Sequence, residues 1–195
     1  MTPELGQFAL ILALLLALAQ CALPLLGAWR GDRALMAVAR PAAAGQAVFV
    51  VAAFAILVAC FLGQDFSVAY VAQNSNLQLP WYYRISAVWG AHEGSLLLWV
   101  LILNLWTVAV AALSRALPEA FMARVLGVLG FVSVGFLLFI LITSNPFARH
   151  LPALADGNDL NPLLQDPGLI LHPPMLYTGY VGFSVAFAFA MAALL

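Results

Sequence analysis

Five stretches, each long enough to cross a bilayer and free of Asp, Glu, Lys and Arg, limit what this chain can fold into. They run from Leu5 to Ala28, Ala44 to Gly63, Ser95 to Leu113, Val125 to Thr143 and Met175 to Leu195. About twenty apolar residues at 1.5 Å rise cross a hydrocarbon core, where only helices or closed barrels satisfy every backbone group. Unbroken runs of this length predict helices, so the expected fold is all-α, a polytopic integral membrane protein of five spans. Only 8% of the residues are charged, against roughly a quarter in soluble domains, and the mean hydropathy of +1.04 agrees. Net charge is −1 and lysine is absent, which removes the electrostatic basis for binding nucleic acid. The first run lacks a positive flank and is too long for a signal peptide, so it reads as a retained helix. Residues 1–195 form one membrane domain with external loops at 64–94 and 144–174. Because the last run ends flush with residue 195, the chain is expected to be the amino-terminal part of a longer protein.

Arginine sets the orientation. Arg30, Arg33, Arg40, Arg115 and Arg124 fall on one side of the proposed topology, and only Arg84 and Arg149 on the other. Positive loops stay in the cytoplasm, which puts the N-terminus outside. All three histidines, His92, His150 and His172, then face outward with most of the acids and interfacial aromatics. The two cysteines, Cys21 and Cys60, fall near opposite faces. That is beyond the roughly 7 Å between α-carbons that a disulfide needs, so two buried thiols are expected.

The chemistry gathers around Leu163 to Tyr180, LLQDPGLILHPPMLYTGY. Asp166-Pro167-Gly168 has the composition of a tight turn. His172 precedes Pro173, which disfavours the helical region for it and predicts extended backbone. Pro174 suits the first position of a helix, so the fifth span is placed at Met175–Leu195 with Tyr177 and Tyr180 in its first two turns. A histidine held at the mouth of a hydrophobic helix is either a half-solvated interfacial residue or a ligand. Neutral imidazole can bind a haem iron axially while aromatic walls cover the porphyrin.

The second stretch is Trp89-Gly90-Ala91-His92-Glu93-Gly94-Ser95. A zinc-protease helix needs a second histidine four residues after the first, and position 96 is Leu, which excludes that reading. Glu93 fits a helix N-terminus, with Ser95 as its cap. Trp81, Tyr82, Tyr83 and Trp89 read first as an interfacial aromatic belt, and otherwise as a platform for a flat hydrophobic ligand. Arg84 and Arg149 are then candidates for pairing with its carboxylates. Asn104, in mid-span, reads as interhelical glue. Asp156-Gly157-Asn158-Asp159 lacks the distal glutamate of a calcium loop and reads as a turn.

Together, WGAHEGSLLLW (89–99) and LQDPGLILHPPMLYTGYVG (164–182) resemble the amino-terminal third of the CcmF family, which includes NrfE. The resemblance implies a multi-pass protein of the bacterial inner membrane, with its functional face periplasmic, that acts in cytochrome c maturation. Such a protein takes haem from the chaperone CcmE and joins it to the CxxCH cysteines of apocytochrome c, which CcmH/CcmI-type proteins present. It also implies that His172 is one of two external histidines ligating that haem; by their own chemistry and placement, Tyr177, Trp81, Trp89, Arg84 and Arg149 are then candidate haem contacts. The family's tryptophan-rich segment, second external histidine and intramembrane ligands of a b-type haem have no counterpart in these residues. The chain would therefore hold a partial haem site and not a complete lyase. Two other functions are compatible with a five-span chain: half of a transporter, or a structural subunit that binds nothing. Transport calls for ionisable groups near the midplane, and the spans hold only amides and hydroxyls.

Overall fold

The computed structural model describes all 195 residues; every regular element is helical, and one isolated bridge joins Val68 and Arg149. In chain order the helices are α1 (Thr2–Arg30), α2 (Arg33–Ala37), α3 (Ala39–Leu62), α4 (Ala69–Asn74), α5 (Trp81–Ala87), α6 (His92–Leu113), α7 (Glu119–Thr143) and α8 (Pro167–Leu194). A short 3-10 turn at Pro162–Gln165 precedes α8. Five helical segments are long and apolar enough to cross a membrane: α1, α2 with α3, α6, α7 and α8.

The buried residues of α1 explain how it packs between α3 and α7. Gly6, Leu10, Ala13, Ala17, Gln20, Pro24 and Gly27 recur at alternating steps of three and four and are mostly small. That spacing keeps one seam facing its partners, and small side chains let backbones approach where lipid removes any hydrophobic drive between helices. On one side α1 meets α3, whose buried face is Ala43, Ala47, Val50, Ala53 and Leu57. On the other it meets α7, where a Cβ at Gly130 would stand 2.9 Å from the Cys21 backbone nitrogen. Gln20 stitches that seam by donating to the Leu126 carbonyl at 2.8 Å. Helix α6 closes the ring against α3 and α7, and α8 lies in the groove between α6 and α7. Only Val181, Ala188 and Ala192 of α8 are buried, so most of its circumference is open.

The two ends differ in chemistry. At one end α2 and the start of α3 meet the connection between α6 and α7, which brings together all five arginines of the first set. At the other end the loop 63–68 with α4 and α5 packs against residues 144–166. His150 donates its backbone N–H to the Ser67 carbonyl at 2.7 Å, and Asn158 donates to Ala72 at 2.8 Å. Asp156 accepts from the Leu77 N–H at 2.9 Å, and Asn76 bonds Asp159. The Asp156–Asp159 segment is thus a turn that clasps the other loop.

Several boundaries differ from the sequence expectations. The second span begins at Arg33 with Asp32 as its N-cap, its carboxylate accepting from Ala34 and Leu35, so Arg33 and Arg40 are helical and not in a loop. The fourth span begins at Glu119 and the third at His92. Ser95 is not the cap of α6, since Ala91 occupies that position and the serine hydroxyl turns back to the Trp89 carbonyl. Asn104 does not bridge helices. Its amide donates to Val100 one turn earlier, leaving Oδ1 buried and unpaired. Both cysteines are free, Cys60 buried and Cys21 partly so.

The largest correction concerns the last span. It begins at Pro167 and runs straight through His172, Pro173 and Pro174, so His172 is helical and the external loop ends at Asp166. Asp166-Pro167-Gly168 is not a turn but a helix start. The Asp166 carboxylate accepts from Gly168 at 2.8 Å and Leu169 at 3.2 Å, and Pro167 takes the first position, where its missing N–H costs nothing. An aspartate cap followed by proline outweighs the local bias at the residue before Pro173.

Candidate functional site

Two adjacent prolines inside α8 leave carbonyls of the preceding turn without helical donors: Pro173 cannot serve Leu169, nor Pro174 serve Ile170. The structure shows what replaces one of them. Trp89, on the turn that leads into α6, donates its indole N–H to the Ile170 carbonyl at 3.0 Å. Membrane helices tolerate proline where neighbours re-satisfy the freed groups, and here the neighbour is a tryptophan.

The same turn grips α8 a second time. Tyr177 donates its phenol to the Ser95 hydroxyl at 3.3 Å, and Ser95 donates to the Trp89 carbonyl at 3.0 Å. Trp99, one turn further along α6, lies 5.5 Å from the Tyr177 ring centroid and 5.7 Å from that of Tyr180. The two sequence stretches that stand out from the rest of the chain are therefore one physical unit, in which the first clamps the proline-containing turn of the second.

The clamp itself rests on a close backbone approach. Gly94 is buried in the first turn of α6, where a Cβ would come within 1.6 Å of the Val88 carbonyl oxygen and 2.7 Å of the Tyr70 hydroxyl. Tyr70 fills the remaining space. Its hydroxyl donates to Val88 O at 3.0 Å and accepts from the Ala91 N–H at 3.2 Å. Burial pushes its phenol well above the usual value, an effect that hydrogen bonding to the backbone around Ala91 partly offsets.

His172 lies on the side of α8 away from this clamp. It is nine residues before the buried Val181, which at 3.6 residues per turn puts it about half a turn round from the packed face. Its side chain is exposed, among the exposed Leu171, Met175 and Leu176. His92 is the one histidine whose ring is hydrogen-bonded, with Nδ1 3.1 Å from Ser144 Oγ and the ring edge-on to Phe139. His150 is exposed on the loop. The three do not converge with each other or with acids into a metal-holding group.

The other candidates separate into free and committed groups. Trp81 is 65% exposed and packs edge-on to Tyr82. Trp89 and Tyr177 are committed to the clamp. Arg84 donates to the Leu79 carbonyl at 2.7 Å, holding the turn before α5. Arg149 faces Glu4 at 3.4 Å and Asp65 at 3.6 Å, tying the N-terminus to the loops. Of the three histidines, His172 is the one whose unclaimed imidazole lies on an exposed face among apolar side chains. Neither arginine is free to meet a carboxylate as it stands. The interlocking of Trp89 with Ile170 was not legible from spacing, although its trace was present: Pro174 frees the carbonyl four residues back and so demands a donor from elsewhere.

Residues 89–195 match the family model described as Cytochrome C assembly protein. Along its whole length the chain is 70% identical to the cytochrome c-type biogenesis protein CcmF of Pseudomonas aeruginosa and 60% identical to that of Escherichia coli, spanning 30% of each. It is 44% identical to the cytochrome c-type biogenesis protein NrfE of Haemophilus influenzae, of which it spans 31%. The solved structure of a cytochrome c haem lyase CcmF superposes with a TM-score of 0.87 at 30% identity, over 99% of this chain and 30% of that one. The chain thus spans less than a third of these relatives.

Proposed function

The chain belongs to the cytochrome c assembly protein family, and from that premise we propose that it is a haem-handling portion of a cytochrome c maturation protein, with His172 as an axial ligand. The observation that carries the reading is the contrast within α8. One side of its first turns is fixed by Trp89, Ser95 and Tyr177, while the other presents an unpartnered histidine among exposed apolar side chains. A ligand needs this combination of a rigid mount and a free face.

Bound haem supplies an iron centre and the vinyl groups that receive the apocytochrome thiols. This chain's contribution is to hold and orient it. His172 would offer a ring nitrogen to the iron, from helical backbone that runs on through Pro173-Pro174. Leu171, Met175 and Leu176 present apolar surface suited to a porphyrin edge. Trp81 is exposed and stands as a further candidate contact, whereas Trp89 and Tyr177 act by holding α8. Arg84 and Arg149 brace the external loops and reach a propionate only if they release their present partners. The external end is then the periplasmic one and the five-arginine end cytoplasmic, in the inner membrane. CcmE as haem donor, CcmH/CcmI-type proteins and apocytochrome c as partners, and a b-type haem, belong to the same reading. Transport finds no support in the spans, whose buried polar side chains are amides and hydroxyls such as Gln20, Gln46, Asn104, Thr107 and Ser133.

The test is haem titration of the purified protein followed by its Soret band, with His172→Ala and His92→Ala in parallel. Loss of the ligand spectrum in His172→Ala alone, together with loss of cytochrome c maturation in cells carrying it, is the expected result. Unchanged spectra and unchanged maturation would leave His172 as an ordinary interfacial residue.

A further inference from the structure

The opposite end of the molecule carries a feature that haem handling leaves unused. Between the α2–α3 segment and the connection from α6 to α7 lies a cavity of about 350 Å³. Arg40 and Arg115 line its rim from two different segments of chain, and Met36, Met122 and Leu126 line its apolar interior. Neither guanidinium has a carboxylate within 4 Å, since the ion pairs in the protein involve only the N-terminus, Glu4, Asp65 and Arg149. Glu119 also lines the cavity and remains outside ion-pair distance of both arginines. Across the whole end, five arginines stand against Asp32 and Glu119, and the Asp32 carboxylate is already occupied capping α2.

Two unpaired arginines over an apolar recess at the edge of the membrane-spanning region describe a particular kind of guest. Its head carries negative charge that accepts hydrogen bonds from guanidinium, and its body is hydrocarbon. We infer that this cavity binds the phosphodiester headgroup of an anionic membrane phospholipid, with Arg40 and Arg115 on the phosphate and the Met36–Met122–Leu126 floor against the glycerol and upper acyl chain. Guanidinium suits this role because its planar fork holds phosphate oxygens in pairs. Basic recesses between spans on the positively charged side of a membrane protein are where such headgroups lodge. Because the occupant bridges the α2–α3 segment to the α6–α7 connection, it also braces the end of the bundle that has no counterpart of the clamp at the other end.

The test is native mass spectrometry of the protein released from nanodiscs of equal phosphatidylglycerol and phosphatidylcholine. The wild type is expected to retain one phosphatidylglycerol in preference to phosphatidylcholine. Arg40→Gln/Arg115→Gln should lower that preference by roughly thirtyfold, the size expected from two membrane-surface cations. Arg30→Gln/Arg33→Gln removes the same charge from the same end outside the cavity and should leave the preference intact. Ala37→Trp, which fills the cavity and keeps both arginines, should also abolish retention. Equal loss in the two double variants would show diffuse surface attraction and overturn the site, as would full retention by Ala37→Trp or no preference in the wild type. Displacement of the retained lipid by millimolar inorganic phosphate would assign the arginines to free phosphate and overturn the lipid.

Discussion

Replacing Gly94 by alanine tests the mount of the proposed haem ligand at its narrowest point. In an open helix this substitution would stabilise the chain by up to about 1 kcal/mol, because glycine loses more backbone freedom. Here the added carbon would sit 1.6 Å from the Val88 carbonyl oxygen, where ordinary contact begins near 3.4 Å, so α6 must retreat by about 1.8 Å. The obstacle is backbone on one side and the buried Tyr70 hydroxyl on the other, and neither can swing away. Retreat stretches the Tyr70 bonds to Val88 and Ala91 and the Ser95 bond to Trp89, which are between 3.0 and 3.2 Å. Overpacking costs about 1–3 kcal/mol and orphaning a buried hydroxyl a similar amount, so the net loss should be about 3 kcal/mol after the helix gain. Gly135→Ala is the matched control, since nothing lies within 4 Å of its added carbon. Unfolding titrations of both variants in mixed micelles give the comparison. A Gly94→Ala protein as stable as Gly135→Ala would refute the close approach and the clamp built on it.

Three further outcomes follow from the same residues. Trp89→Phe keeps the aromatic packing but removes the donor to Ile170, which should cost about 1 kcal/mol of stability. Haem titration of that variant should show weaker binding with the His172 ligand spectrum preserved; unchanged affinity would dissociate the clamp from the ligand. Tyr70 is held neutral by burial, with its folded value raised above the ordinary 10.0, so its contribution is complete below that pH and lost as pH rises past it. Unfolding midpoints measured upward from about pH 8 should therefore fall more steeply in the wild type than in Tyr70→Phe, and parallel curves would exclude Tyr70 as the titrating group. Arg149→Gln should change stability by less than about 1 kcal/mol, because its partners Glu4 and Asp65 are substantially solvated. A larger drop by the same unfolding titration would mean that the loops depend on those pairs far more than their exposure suggests.

The sequence determined the class of the protein because hydrocarbon imposes a blunt condition. A run of twenty residues without charge must satisfy its own backbone, and five such runs are five helices whatever surrounds them. The arginine asymmetry was equally legible, and the fold gathers those side chains at one end. Helix starts were less so. Arg33, His92 and Glu119 lie inside helices, the first behind the Asp32 cap and the other two with no side-chain cap, because a hydropathy boundary is not a hydrogen-bonding boundary. At Asp166-Pro167 two local rules competed, turn against cap, and the cap prevailed; what the sequence did not show was the partner 81 residues away, Trp89, which supplies a donor to Ile170 where the helix continues through Pro173 and Pro174. Sequence also named Trp89, Tyr177, Arg84, Arg149 and His172 without saying which were free. Tertiary structure alone decided that the first four are engaged and that His172 faces outward. The physical reason is that a residue's type is written locally, whereas the partner that uses up its hydrogen bond arrives from elsewhere in the chain.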